Sequence, residues 1–107
     1  MAQNLNYLIE FQRLTEGARD AFNVPAETWT TVCKEWADKR DVSDSEKIAA
    51  GQQYSTRLAR FTVRWNRNTA SITSDDRLIY DGAWNVLGKK EVERNRLLEV
   101  TAEKRSD

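Results

Sequence analysis

Few residues of this 107-residue chain are suited to chemistry. Cys33 is the single cysteine, and two groupings of carboxylates stand out: Asp38, Asp41 and Asp44, and the adjacent pair Asp75 and Asp76. A thiol nucleophile needs a partner to take its proton, and the sequence contains no histidine. That removes the commonest general base and the commonest transition-metal ligand together. With one cysteine besides, a zinc site has no donors. Neither carboxylate grouping has the spacing of a calcium loop, so both read as surface acids in turns. The sequence therefore predicts no catalytic residue, no metal site and no cofactor.

Charge offers a second kind of function, which is binding. In Ala59-Arg60-Phe61-Thr62-Val63-Arg64-Trp65 apolar and polar side chains alternate, the mark of a strand with one face buried. Arg60, Thr62 and Arg64 then share the outer face. Arg60 and Arg64 fit contact with DNA or with a neighbouring subunit, and equally a solvated face. Lys+Arg and Asp+Glu both number 17, so the chain has no overall field to hold a polyanion, and any such contact requires a local patch.

The elements that would position these residues are mostly strands. Leu5 to Arg13 reads as a first strand with Leu5, Tyr7, Ile9 and Phe11 on one face. Thr15 to Glu27 holds Gly17 and the only proline, Pro25, and reads as a long surface connection. Thr28 to Lys39 is a second strand, bulged because its alternation is imperfect. Ser43-Asp44-Ser45-Glu46 has the form of a helix capping box, with Lys47-Ile48-Ala49-Ala50 following and Gly51 as the stop. Tyr54 to Trp65 is the third strand. A polar link from Asn66 to Asp76 leads to a hairpin, Arg77 to Tyr80 and Ala83 to Leu87, turned by Asp81-Gly82. Lys89 to Asn95 reads as a charged turn region and Leu97 to Ala102 as the last strand.

The fold class expected is all-β: a small six-stranded antiparallel β-barrel with a short helix in the long connection from strand two to strand three. Sm-like, SH3-like and related barrels all fit. One domain is expected over residues 1–107, ordered from about 5 to 102, with 103–107 a frayed tail. The large rings must supply the core, so Trp29, Trp36, Trp65 and Trp84 are all expected inside, Trp65 and Trp84 on inward faces of paired strands. No basic leader or eighteen-residue apolar run occurs, so neither a secreted nor a membrane-spanning chain is expected. The lone cysteine fits a reducing cytosol.

The order of residues carries a resemblance. Trp29-x-x-Val32-x-x-x-Trp36-Ala37, Ser43-x-x-Glu46-x-x-Ala49-Ala50, Arg60 to Trp65, Asp76-Arg77-Leu78 and Asp81-Gly82-x-x-Asn85-Val86 together resemble the head-tail joining family of tailed bacteriophages. Its members are also called head-closure, stopper or head-completion proteins. The resemblance runs from about Tyr7 to Ala102, and the sequence departs from many relatives at Ala59, where a polar residue is common. It implies a non-catalytic virion protein of a phage or gene transfer agent, at the head–tail interface and assembled in the host bacterial cytoplasm. The implied protein is a ring beneath the portal and its adaptor that closes the DNA channel after packaging and docks the tail. The implied partners are further copies of the chain (hexamer or dodecamer when assembled, monomer alone), the portal or adaptor protein, a tail terminator or tail tube protein, and the packaged DNA end, with no membrane.

In such proteins the excursion between strands two and three points to the channel. Here it is Asp41 to Thr56, and the residues implied to close the channel are Asp41, Ser43, Glu46, Lys47, Ile48, Gln52, Gln53 and Tyr54. Two other functions compete: a single-stranded nucleic-acid-binding barrel using Arg60, Arg64 and exposed rings as a stacking platform, and a tail-completion or adaptor role in the same connector.

Overall fold

The computed structural model describes residues 5–19, 25–43 and 56–105. Six strands, β1 (Tyr7–Arg19), β2 (Pro25–Asp41), β3 (Thr56–Arg64), β4 (Arg77–Ile79), β5 (Ala83–Glu93) and β6 (Leu97–Arg105), close into a barrel in the order β1–β2–β3–β6–β5–β4. Every neighbouring pair is antiparallel, and the three-residue ladder of Glu10–Gln12 against Arg77–Ile79 shuts the seam. Closure leaves no hydrogen-bonding edge along the body of so short a chain.

The core follows the two-residue period. Ile9 and Phe11 of β1, Ala37 of β2, Ala59, Phe61 and Val63 of β3, Leu78 of β4, Trp84 and Val86 of β5 and Leu98, Val100 and Ala102 of β6 are all buried. Three inward alanines leave room for the rings of Phe11, Phe61 and Trp84, so large and small residues alternate across the lumen. The expected bulge is present: Phe11 faces Cys33 and Gln12 faces Thr31, which leaves Val32 as the extra residue of β2. Asp81 and Gly82 turn the β4–β5 hairpin with positive φ angles of 51° and 105°, a conformation that suits Asp and Gly.

Several boundaries differ from the sequence reading. Much of the stretch expected as a surface connection, Thr15 to Glu27, is the paired end of β1 and β2. Threonines make it a ribbon: Thr15 Oγ1 donates to the Thr28 carbonyl at 3.1 Å and Thr30 Oγ1 to the Arg13 carbonyl at 3.3 Å. Pro25 sits at the first position of its strand, where a missing N–H is tolerated. The charged stretch from Lys89 is mostly strand, because its charges lie outside the barrel and Lys90 pairs with Glu99 across the ladder at 3.5 Å. The turn itself is Arg94 to Arg96, with Asn95 at φ 59°. Glu103 to Arg105, expected to fray, continue β6 against Thr56 to Leu58.

The polar link after β3 contains a short helix, α1 (Arg67–Ala70). Asn66 caps it reciprocally: its side chain accepts from the Thr69 N–H at 2.8 Å, while its own N–H donates to Thr69 Oγ1 at 2.9 Å. The helix expected from Ser43 falls on residues 44–55, outside the described residues.

Of the four tryptophans only Trp84 is core, at 1% exposure. Trp36 is 55% exposed because it stands at the outward position between Glu35 and the buried Ala37. Trp65 is 38% exposed because β3 ends at Arg64, where the chain leaves the wall for α1. Trp29 is half-buried beneath the Arg77 guanidinium, which lies 4.1 Å from its ring centroid.

Candidate functional site

At one end of the barrel the inward rows of three strands finish on a cation. Lys39 follows Ala37 on β2, Arg57 precedes Ala59 on β3, and Lys104 follows Ala102 on β6. Their charged ends gather on a single ring: Lys39 Nζ is 5.9 Å from the Trp84 centroid, Arg57 Cζ 5.7 Å and Lys104 Nζ 5.7 Å. Each charged head is attracted by the ring quadrupole.

Beneath them the aromatic packing is edge-to-face. Phe61 lies 5.5 Å from Trp84, Tyr80 lies 6.4 Å from Phe61, and Tyr7 lies 5.6 Å from Tyr80. Trp84 Nε1 donates to the Tyr80 carbonyl at 2.8 Å, which fixes the indole in place. Lys104 donates to the Asp81 carbonyl, so the hairpin turn closes over the same end.

Lys39 pairs with Asp41 at 2.7 Å, but Asp41 is largely exposed. Among the described residues no carboxylate lies within 4 Å of Arg57 or Lys104. This mouth was missed in the sequence, although the parity of Ala59, Phe61 and Val63 places Arg57 on the inward row.

The β2–β3 excursion leaves at the same end. The two strands pair as far as Asp41 opposite Ala59, and the Val42 N–H donates to the Leu58 carbonyl at 2.9 Å. Val42 and Leu58 are both buried, so the neck is a closed, packed point of the wall. Of the residues implied to close the channel, Asp41 and Ser43 are exposed at this neck. Glu46, Lys47, Ile48, Gln52, Gln53 and Tyr54 lie outside the described residues.

Arg60 and Arg64 do not form a basic patch. On the outer wall Arg60 faces Arg40 and Thr101, and its Nε is 3.7 Å from Glu99 Oε1, the oxygen that Lys90 also approaches. Asp38 lines the same shallow groove, which makes it a surface of mixed charge. Arg64 is exposed at the end of β3, where its carbonyl accepts from Thr69 Oγ1.

At the opposite end Asp76, read from sequence as a surface acid, is 3% exposed. Arg13 grips both of its oxygens, at 3.0 and 3.1 Å, and the Thr73 N–H donates to Oδ2 at 2.9 Å. This partner holds the Arg13 guanidinium above its ordinary pKa. Arg13 also donates to the Ser71 carbonyl, so the residues between α1 and β4 are tied to the base of the β1–β2 hairpin. Beyond Arg13 and Thr30, β1 and β2 pair only with each other among the described residues.

Cys33 is half-buried opposite Phe11; burial, aided by the nearby Glu35, pushes its pKa up to about 11. It is a protonated, unreactive thiol at neutral pH. No cluster of three metal-ligating side chains and no helix long and apolar enough to cross a membrane occurs among the described residues.

The profile of the family described as "Phage head completion protein" matches residues 1–105. A chain of the virion of a native gene transfer agent particle is 17% identical, with a TM-score of 0.66 and 94% of each chain covered. A Shigella flexneri 2a protein solved in solution is 22% identical, with a TM-score of 0.67 over 92% of this chain and 91% of that one. At these identities the two structures share the fold. None of the curated proteins matches the chain.

Proposed function

From the premise that the chain belongs to the phage head-completion protein family, we propose that copies of it form a ring beneath the portal and its adaptor, close the DNA channel after packaging and dock the tail. Membership makes it a non-catalytic structural protein of a phage or gene-transfer-agent virion, at the head–tail interface. In the proposed mechanism the barrel is the rigid frame and the connection Asp41 to Thr56 is the gate.

The observation that supports this division is the neck. β2 and β3 are already paired and sealed at Asp41, Val42, Leu58 and Ala59, so the wall is complete without the excursion. A connection whose two ends are held side by side contributes little to core stability. The mixed-charge wall around Arg60, Arg40, Asp38 and Glu99 suits pairing between neighbouring copies, where alternating charge sets register. Portal or adaptor on one side and tail terminator or tail tube on the other complete the set of partners. The chain is monomeric until a connector supplies the template.

The test replaces residues 44–55 with a short Gly/Ser linker. The variant is expected to fold with an unfolding transition close to that of the wild type and to attach to DNA-filled heads, which then lose their genome to nuclease. Retention equal to the wild type, with the variant incorporated, would show that the excursion does not close the channel.

A further inference from the structure

Lys39, Arg57 and Lys104 form a cluster of positive charge that the fold itself does not require. A barrel end can be capped by any side chain that covers Trp84, and three alkyl groups would do so without mutual repulsion. Here three like charges lie within 6 Å of one ring centroid, and among the described residues a single exposed carboxylate, that of Asp41, offsets them. Attraction to the ring draws each cation in and leaves their mutual repulsion in place. An arriving anion relieves it.

We propose that this mouth is a phosphate-binding site, and that its ligand is the DNA backbone in the channel. The second half of the statement rests on the connector reading above.

Two features favour phosphate over an acidic peptide. The ring that organises the site, Trp84, is buried and so is not itself offered to a peptide as an aromatic anchor. Contacts made by Lys and Arg heads alone are the sequence-independent kind that a channel protein meeting any genome end needs. The mouth also borders the neck from which the gate departs, Arg57 lying one residue before the buried Leu58. A neutral chain with one such patch binds weakly alone, and a ring multiplies the patch.

The test is a two-dimensional NMR titration of the full chain with inorganic phosphate and, separately, with a short DNA duplex. Both should shift the Trp84 indole and the amides of Arg57, Gly82 and Lys104. Duplex affinity should fall about 12-fold between 50 and 200 mM salt, the slope for two neutralised phosphates. The double variant Arg57→Gln, Lys104→Gln should lose these shifts. If it does not fold, Arg57→Gln alone, at an exposed side chain with no carboxylate partner among the described residues, should weaken duplex binding several-fold.

Shifts located elsewhere, shifts undiminished in the variants, or an oligoglutamate peptide that saturates the mouth more tightly than the duplex would overturn the assignment. On DNA-filled heads the variant should attach as the wild type does and leak genome faster, and wild-type retention by an attached variant would overturn the DNA contact. Failure of the wild-type chain to attach would sink the connector reading and leave the phosphate titration standing.

Discussion

Trp84→Ala is expected to lower the free energy of unfolding by about 3–5 kcal/mol, the range for a large ring removed from a packed core. Trp84 is 1% exposed, packs edge-to-face on Phe61 at 5.5 Å and holds the Tyr80 carbonyl through its indole N–H. Its loss would open a cavity in the core beside Phe61 and would leave three cations without the ring that draws them together. Trp36→Ala is the internal control, because the same chemical change at a 55% exposed outer position should cost no more than about 0.5 kcal/mol. Denaturant unfolding of the two variants, with unchanged m-values, reads the difference directly. Equal costs would mean that the inward parity of β2 or β5 is misassigned.

Asp76→Ala is expected to cost about 2–3 kcal/mol. Its carboxylate is buried and accepts three hydrogen bonds, two from Arg13 and one from the Thr73 N–H. Breaking a fully buried pair costs roughly 3–5 kcal/mol, but the Arg13 side chain is 42% exposed and returns to water when its partner is removed, which sets the lower figure. The reverse change, Arg13→Ala, strands a carboxylate at 3% exposure with a single remaining donor, so it should destabilise at least as much. A double-mutant cycle checks the asymmetry. Additive single effects would show that the pair is not what ties the hairpin base to the residues before β4.

The closed barrel was legible in sequence where one face of a strand meets the core and the other meets water. β3 shows this best: Ala59, Phe61 and Val63 read as inward and are fully buried. Alternation fails as a guide where neither face is core. The ends of β1 and β2 pair only with each other among the described residues, and Leu14, Thr15, Thr28 and Thr30 are all exposed, so no hydrophobic period reveals them. The tryptophans show the opposite error, in which residue type outweighed position. Trp36 and Trp65 are large enough to suggest core, but the parity of β2 and the end of β3 put them at the surface.

Asp76 shows why a buried charge escapes a sequence reading. Its partner Arg13 is 63 residues away, and nothing local announces the pairing. The cationic mouth escaped for a related reason: Lys39, Arg57 and Lys104 come from three strands and converge only when the barrel closes. The residues proposed as the gate rest on family resemblance alone, since the capping box at Ser43 suggests a helix without assigning it a place in a channel.

Electron cryo-microscopy of the portal vertex in DNA-filled, tailless heads bears on all of this at once. The expected reconstruction contains a ring of these barrels beneath the portal and adaptor, each with its neck and the Lys39–Arg57–Lys104 mouth turned to the channel and residues 44–55 crossing it against the DNA end. A vertex that retains its genome with no such ring, or a ring whose β2–β3 connections point away from the channel, would contradict the assignment of this chain as the closure of the head.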